Sequence, residues 1–366
     1  ILGDIELDGN AFDNADADHN GQIDVLDVVI IVEIVLNNDE PCDDSYPIDL
    51  SLEWEFQDDL SYFDYERLED IMSTEVADLE NILGMIIIHQ GKIVSEEYYN
   101  GSFMNQDYNI WSVTKSYTST LIGQAIDQGL INDANYTLDT FLPEFNQPYL
   151  QYVQLSNLLS MSSGYWDNYF YPDWVYASTE YLVNMTNMGG PGIFFYNNSA
   201  CHLHSHILYY GTGMTPIEFA SINLFPYLGI DNPGWLEGYN SINDGSASLI
   251  LRLREMVKLG QLYLQDGYSG DVQILSSEWI EEATSFQVPT NINWNDLDGY
   301  GYLWWLPERG YLAFGYGGQF IAVIPELELV IGVHSLVDDV PDATDYQTLL
   351  LECMYDRIAP LFEDIE

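Results

Sequence analysis

Positive charge is what this sequence has least of. Eight Lys and Arg stand against 59 Asp and Glu, a formal net charge of −51 at pH 7. A surface of that sign repels nucleic-acid phosphates and anionic lipid headgroups, so neither is expected as a partner. Cysteine is scarce as well. Cys42, Cys201 and Cys353 are an odd number in a chain of 366 residues, which excludes a disulfide framework. Long apolar runs are missing: those at 25–36 and 82–88 are interrupted or too short to span a bilayer, so membrane insertion is not expected.

What is present is a normal interior. Apolar residues make up 47% and aromatic residues 14%, the composition of a folded protein and not of an acidic disordered polymer. An ordinary core inside an acidic shell reads as adaptation to a high-salt environment, because carboxylates hold water and hydrated cations.

Residues 13–37 differ in character from the rest of the chain. Asp16, Asp18, Asn20, Gly21, Asp24 and Asp27 fall at positions 1, 3, 5, 6, 9 and 12 of a calcium-loop template, with Gln22 at position 7. Alternating oxygen donors, a glycine for the sharp turn and a closing carboxylate are what a hard cation requires. An apolar helical stretch comes directly after. The closing Asp resembles the dockerin-type loop of secreted bacterial proteins, which implies a structural calcium ion and a cohesin-like partner. Dockerin-like modules have two such loops, and only a degenerate acidic stretch (Asp4, Glu6, Asp8, Gly9) precedes this one. The start at Ile1 reads as removal of an upstream segment, and the location expected is secreted, periplasmic or cell-surface.

Residues 38–50, polar and acidic with two prolines, read as a linker, and 51–366 as one domain. GMIIIHQGKIVSEEYYNG (84–101) predicts a hairpin turning at His89-Gln90-Gly91. Helical patterns fill about 112–290, strand patterns return in YGYLWWLPE, GYLAFGY and QFIAVIPELELVIGVHS, and a helix is predicted over 343–358. Strands at both ends with helices between them imply an α+β fold: a sheet completed by distant segments, with an inserted helical region.

The chemistry centres on WSVTKSYTST. Ser112 and Lys115 lie three apart at the start of a helical pattern, so they share one face and the amine reaches the hydroxyl. Serine alone is a poor nucleophile, and a lysine with apolar neighbours can serve as its base. Two further segments offer companions. In PGIFFYNNSA, Tyr196 can pass protons and Asn198 can orient a carbonyl or the lysine. In FGYGGQ, the glycines at 317 and 318 let the chain approach a substrate, and N–H groups there could form half of an oxyanion hole with that of Ser112.

The order S-x-x-K, then Y-x-N, then a Gly-rich strand resembles the serine β-lactamase and penicillin-recognising superfamily. LLSMSSGY, ILRLREMVKLGQLYL and GYGYLWW also have counterparts there, so the resemblance covers about residues 80–360. It is most similar to the class C-like esterases and 6-aminohexanoate-oligomer hydrolases. The resemblance implies an antiparallel sheet flanked by helices, Ser112 as acylated nucleophile, Lys115 as base and Tyr196 as proton shuttle. It implies that Asn198 and the Gln319 amide position the substrate carbonyl, and that catalysis needs no cofactor.

One departure is informative. Where the family's K-T-G grips a substrate carboxylate, this chain has Tyr316-Gly317-Gly318. Losing a charge-assisted bond to a carboxylate removes about 1.5–3 kcal/mol of binding. The expectation is therefore an esterase or amidase for neutral short-acyl substrates. The alternatives are a β-lactamase or D-amino-peptide hydrolase, or a calcium-dependent scaffold-anchored binding module with little turnover. Trp166 and Tyr169, in the aromatic stretch 165–176, are expected in the pocket wall. Trp304 and Trp305 read as sheet core, and His202, His204, His206 and His334 as packed histidines. Because self-repulsion is screened as the Debye length falls from about 10 Å at 0.1 M to about 3 Å at 1 M salt, activity and melting temperature should rise with added salt. Thermal melts and hydrolysis rates across that range check this, and a flat or falling profile contradicts it.

Overall fold

The stretch ILGMIIIH has no polar face, and a strand with two apolar faces must be covered on both. In the computed structural model it forms β1 (Ile82–His89), with all eight residues buried. The structure describes residues 47–166, 170–292, 297–337 and 343–363. The chain divides into two units, residues 1–48 and 49–366, and the second is described here. The calcium-loop residues Asp16, Asp18, Asn20, Gln22, Asp24 and Asp27 lie outside the described residues, as do most of residues 38–50. Packing of the second unit already includes Leu50, which is buried and donates its N–H to Ser269 Oγ at 2.9 Å.

β1 turns into β2 (Lys92–Tyr98) through Gln90 and Gly91, both at positive φ (51° and 76°), as a two-residue hairpin requires. The C-terminal half supplies β3 (Val288–Pro289), β4 (Gly299–Tyr300), β5 (Trp305–Leu306), β6 (Tyr311–Gly315), β7 (Gln319–Ile324) and β8 (Leu329–Ser335). The sheet runs β3-β4-β5-β6-β7-β8-β1-β2, with every pairing antiparallel. The first two strands thus complete a sheet begun by the last six, as the sequence predicts.

Helices fill the interval between β2 and β3. They include α1 (Thr114–Asp127), α2 (Asn198–Thr212), α3 (Pro216–Asn223), α4 (Lys258–Leu264) and α5 (Ser277–Thr284); α6 (Ala343–Glu352) comes after the sheet. The predicted C-terminal helix ends differently, passing from α6 into a π-helical turn, Cys353–Ile358. Gly260 lets α4 press on the sheet: a Cβ there would sit 2.5 Å from Ile321 and 2.8 Å from Val330. No helix among the described residues is long and apolar enough to cross a membrane.

α1 is the unusual element, because it is buried from Thr114 to Ala125 yet rich in Ser and Thr. Two of its hydroxyls are matched to main-chain oxygens of distant segments. Ser116 Oγ donates to Leu303 O and Thr118 Oγ1 to Gly245 O, both at 2.9 Å. A helix with polar residues on several faces can be central where most of them are satisfied in this way, and on α1 only Ser119 Oγ and Gln124 Oε1 are buried without a partner among the described residues. Its N-terminus is approached by a small three-stranded sheet, in which Tyr108–Asn109 pairs with Leu249–Leu251, itself paired with Gly234–Trp235.

The four histidines read as packed are buried, three on α2 and His334 on β8, but His334, expected to be a satisfied core histidine, leaves Nε2 without a partner among the described residues. Burial pushes His204 down to about 4 and His334 to about 3, lowers His206 well below its ordinary value, and lowers His202 against the opposing pull of Asp244. These rings are neutral in the fold and protonated in the unfolded chain below about pH 6.5. Their contribution is intact above that pH and is lost as pH falls toward the folded values, at about 1.4 kcal/mol per ring per pH unit. Urea titrations should therefore show stability falling between pH 7.5 and 5.5, with a smaller slope for His334→Gln. A pH-independent midpoint contradicts this.

Candidate active site

Ser112 stands in the 3-10 turn Trp111–Val113 that leads into α1. Trp111 has φ 47°, a left-handed conformation that costs a non-glycine residue about 1–3 kcal/mol and tends to persist where function requires it. It is held there by its N–H donating to Asn109 Oδ1 at 2.8 Å, and by the rings of Tyr171 and Tyr316 at 5.3 and 5.7 Å. Ser112 is half-buried, whereas Lys115, one turn along α1, is 1% exposed.

Three oxygens meet the buried amine. Lys115 Nζ lies 2.8 Å from Ser112 Oγ, 2.7 Å from Asn198 Oδ1 and 2.7 Å from Ser246 O. The last two can only accept, so they take two of its N–H bonds and leave the third direction for the serine. In that direction an ammonium donates to Oγ, while a neutral amine offers its lone pair to the hydroxyl proton.

Asn198 is delivered by the first residue of α2, whose cap is Asn197: its Oδ1 accepts from Ala200 N at 3.0 Å, and its Nδ2 donates to Tyr165 O. Ser246 is delivered by the small sheet, where Ile110 N–H donates to Leu249 O and Leu249 N–H to Thr114 Oγ1. Tyr196 meets the amine through its ring, with Nζ 4.8 Å from the centroid, and stacks on Trp305 at 5.7 Å.

Tyr316, Gly317 and Gly318 form the turn between β6 and β7. Tyr316 is half exposed and contacts Trp111. Gly318, at φ 95°, cannot be replaced simply, since a Cβ would meet Leu350 at 2.7 Å and Ser335 Oγ at 2.9 Å. Gln319 is fully buried, and its side chain is engaged with the Ser335 main chain: Nε2 donates to Ser335 O at 2.6 Å and Oε1 accepts from Ser335 N. Its side-chain amide is thus committed to the neighbouring strand. Trp166 lies in a short strand paired with Thr186, and Tyr169 is outside the described residues.

Sequence reasoning missed several contacts around the site. Trp305 is buried as expected of a sheet residue, yet it also backs Tyr196. The Ser246 carbonyl and the buried Asp244 beside it carried no spacing signal, being 131 and 129 residues from Lys115. His202 and His206 are not merely packed but joined, Nε2 to Nε2 at 3.3 Å.

An antiparallel sheet closed by distant segments, with a Ser-Lys pair at the start of a buried helix, defines a class. The chain belongs to the beta-lactamase family, whose model matches residues 74–352. It is 25% identical over 301 residues to the 6-aminohexanoate-dimer hydrolase of Paenarthrobacter ureafaciens, covering 72% of this chain and 76% of that one. Among solved structures it is similar to the octameric penicillin-binding protein homologue from Pyrococcus abyssi (TM-score 0.64, 17% identity, 82% of this chain and 79% of that one). It is likewise similar to the D-amino acid amidase from Ochrobactrum anthropi SV3 (TM-score 0.60, 14% identity, 82% and 99%). It is thus a member of a hydrolase family built on this fold.

Proposed function

We propose that this protein is a serine hydrolase that cleaves neutral short-acyl esters or amides through an acyl-enzyme on Ser112. The observation that carries the reading is the buried Lys115 amine 2.8 Å from Ser112 Oγ, with its other two contacts fixed on acceptors. As Ser112 Oγ attacks the substrate carbonyl carbon, its proton passes to the Nζ lone pair and the carbonyl oxygen becomes an oxyanion. The first-turn N–H of Ser112 and the main-chain N–H of Gln319 are the donors proposed for that oxyanion. Collapse expels the alcohol or amine, which takes the proton from Lys115. Water, deprotonated by the same amine with Tyr196 beside it, then attacks the acyl carbon, and the proton returns from Lys115 to Ser112 Oγ as the acid leaves.

Neutrality of the substrate is argued from a census of cations. Seven of the eight are engaged by partners outside the site: Arg67 by Asp70 and Glu75, Lys92 by Glu55, Arg252 by Glu255, Arg254 by Glu96, Lys258 by Leu52 O, Arg309 by Glu326 and Glu363, and Arg357 by Glu75. Only Lys115 is left for the site, and the position of the family's carboxylate-gripping lysine holds the uncharged Tyr316. Amides stand beside esters because the similar proteins include a 6-aminohexanoate-dimer hydrolase and a D-amino acid amidase.

Ser112→Ala should lower hydrolysis of a p-nitrophenyl acyl ester by at least about 1000-fold, and activity within tenfold of wild type would overturn the reading. In a panel of p-nitrophenyl esters, an anilide and nitrocefin, the anionic cephalosporin should be the poorest substrate. Turnover of nitrocefin above that of the esters would favour a β-lactamase.

A further inference from the structure

Behind the lysine lies a second polar construction that the proposed mechanism does not use. Residues Asp244, Gly245 and Ser246 are fully buried, and each of their six main-chain polar groups has a partner. Asp244 N–H donates to Leu236 O at 2.9 Å, and Asp244 O accepts from Trp235 Nε1 at 2.6 Å. Gly245 N–H donates to His202 Nδ1 at 3.3 Å, and Gly245 O accepts from Thr118 Oγ1. Ser246 N–H donates to Asp244 Oδ1 at 2.9 Å, and Ser246 O receives Lys115 Nζ.

The Asp244 carboxylate closes this turn on itself. Its Oδ1 accepts from Ser246 N, from Ser246 Oγ at 2.6 Å and from Trp174 Nε1 at 3.3 Å, while Trp174 Nε1 also reaches Ser246 Oγ at 2.9 Å. Oδ2 is buried with no partner among the described residues. The histidines behind the turn are oriented by it. Because Gly245 N–H donates to His202 Nδ1, the His202 proton is on Nε2 and points at His206 Nε2; His206 Nδ1–H then donates to Thr179 Oγ1 at 2.7 Å. A buried carboxylate costs several kcal/mol in desolvation, and three bonds on one oxygen with none on the other offset that poorly if folding were its only role.

We propose that Asp244 is a positioning residue for Lys115: by clamping the Asp244–Ser246 turn it aims the Ser246 carbonyl at Nζ and so holds the amine on Ser112. This rests on the reading of Ser112 and Lys115 as nucleophile and base. Asp244→Asn keeps an acceptor oxygen for all three bonds, whereas Asp244→Ala removes them.

The test measures ester hydrolysis by the full chain, together with the rate at which a fluorophosphonate probe labels the Ser112 peptide, read by mass spectrometry. In Asp244→Ala, kcat and the labelling rate should fall about 10- to 100-fold with KM within about twofold, because a misplaced group loses rate without losing substrate contacts. Asp244→Asn should recover both rates to within about threefold. Wild-type rates in folded Asp244→Ala, an increase in KM that accounts for the loss, or Asp244→Asn as slow as Asp244→Ala would each overturn the proposal. If Asp244→Ala does not fold, Ser246→Ala decides: it keeps the carbonyl and drops the hydroxyl arm of the clamp. A fall of about threefold or more in kcat supports the proposal, and an unchanged kcat overturns it. A wild-type chain that the probe does not label at Ser112 would instead remove the nucleophile reading itself.

Discussion

A lysine amine sealed from water must be met by oxygen on every side that carries a hydrogen, because an unmatched buried charge or donor costs several kcal/mol. Lys115 imposes that demand on the whole central region. Its three partners arrive from the turn before α1, from the first residue of α2, and from the turn that precedes the strand Leu249–Leu251. Each arrival is itself secured: Trp111 in a left-handed conformation, Asn198 behind an N-cap asparagine, Ser246 in a turn whose main-chain polar groups are all paired. The fold around α1 can be understood as the set of constraints that keep one amine satisfied without water.

The sheet and the surface serve the same end at longer range. A core strand with isoleucine on both faces forces coverage on both, and Gly260 shows how closely α4 is pressed on the sheet. Outside, the excess of carboxylates engages nearly every cation in local pairs. Of the other seven cations only Lys258 is also buried, and its amine is held by Leu52 O, so Lys115 is the one that meets the serine. On the proposed function this favours substrates with no carboxylate to be gripped, and Tyr316 standing in the family's cationic position agrees with it.

Much of the framework was legible. The β1–β2 hairpin, the returning strands and the helical interval can be read from periodicity and turn chemistry, because those patterns are local. The C-terminal helix was legible in existence but not in its π-helical continuation, which depends on how 353–358 packs. The family match over residues 74–352 agrees with the resemblance drawn over 80–360. Gln319 was visible as a position but not in orientation, since the face its side chain takes is decided by Ser335 across the sheet. Trp305 was assigned to the core, and it is core; that a buried indole also backs Tyr196 is a contact between segments more than 100 residues apart.

By itself the sequence determined which chemistry was on offer: a serine and a lysine one helical turn apart, a tyrosine and an asparagine in one short motif, and an uncharged Tyr316 ahead of two glycines. Those facts need only helix geometry and residue identity. The tertiary structure alone decided what completes the amine's surroundings. A main-chain carbonyl can come from any residue, so no side-chain pattern announces Ser246, and a carboxylate that acts through such a carbonyl is one step further from view. Only the folded chain, by leaving no water to meet those hydrogens, requires that particular oxygen at that particular place.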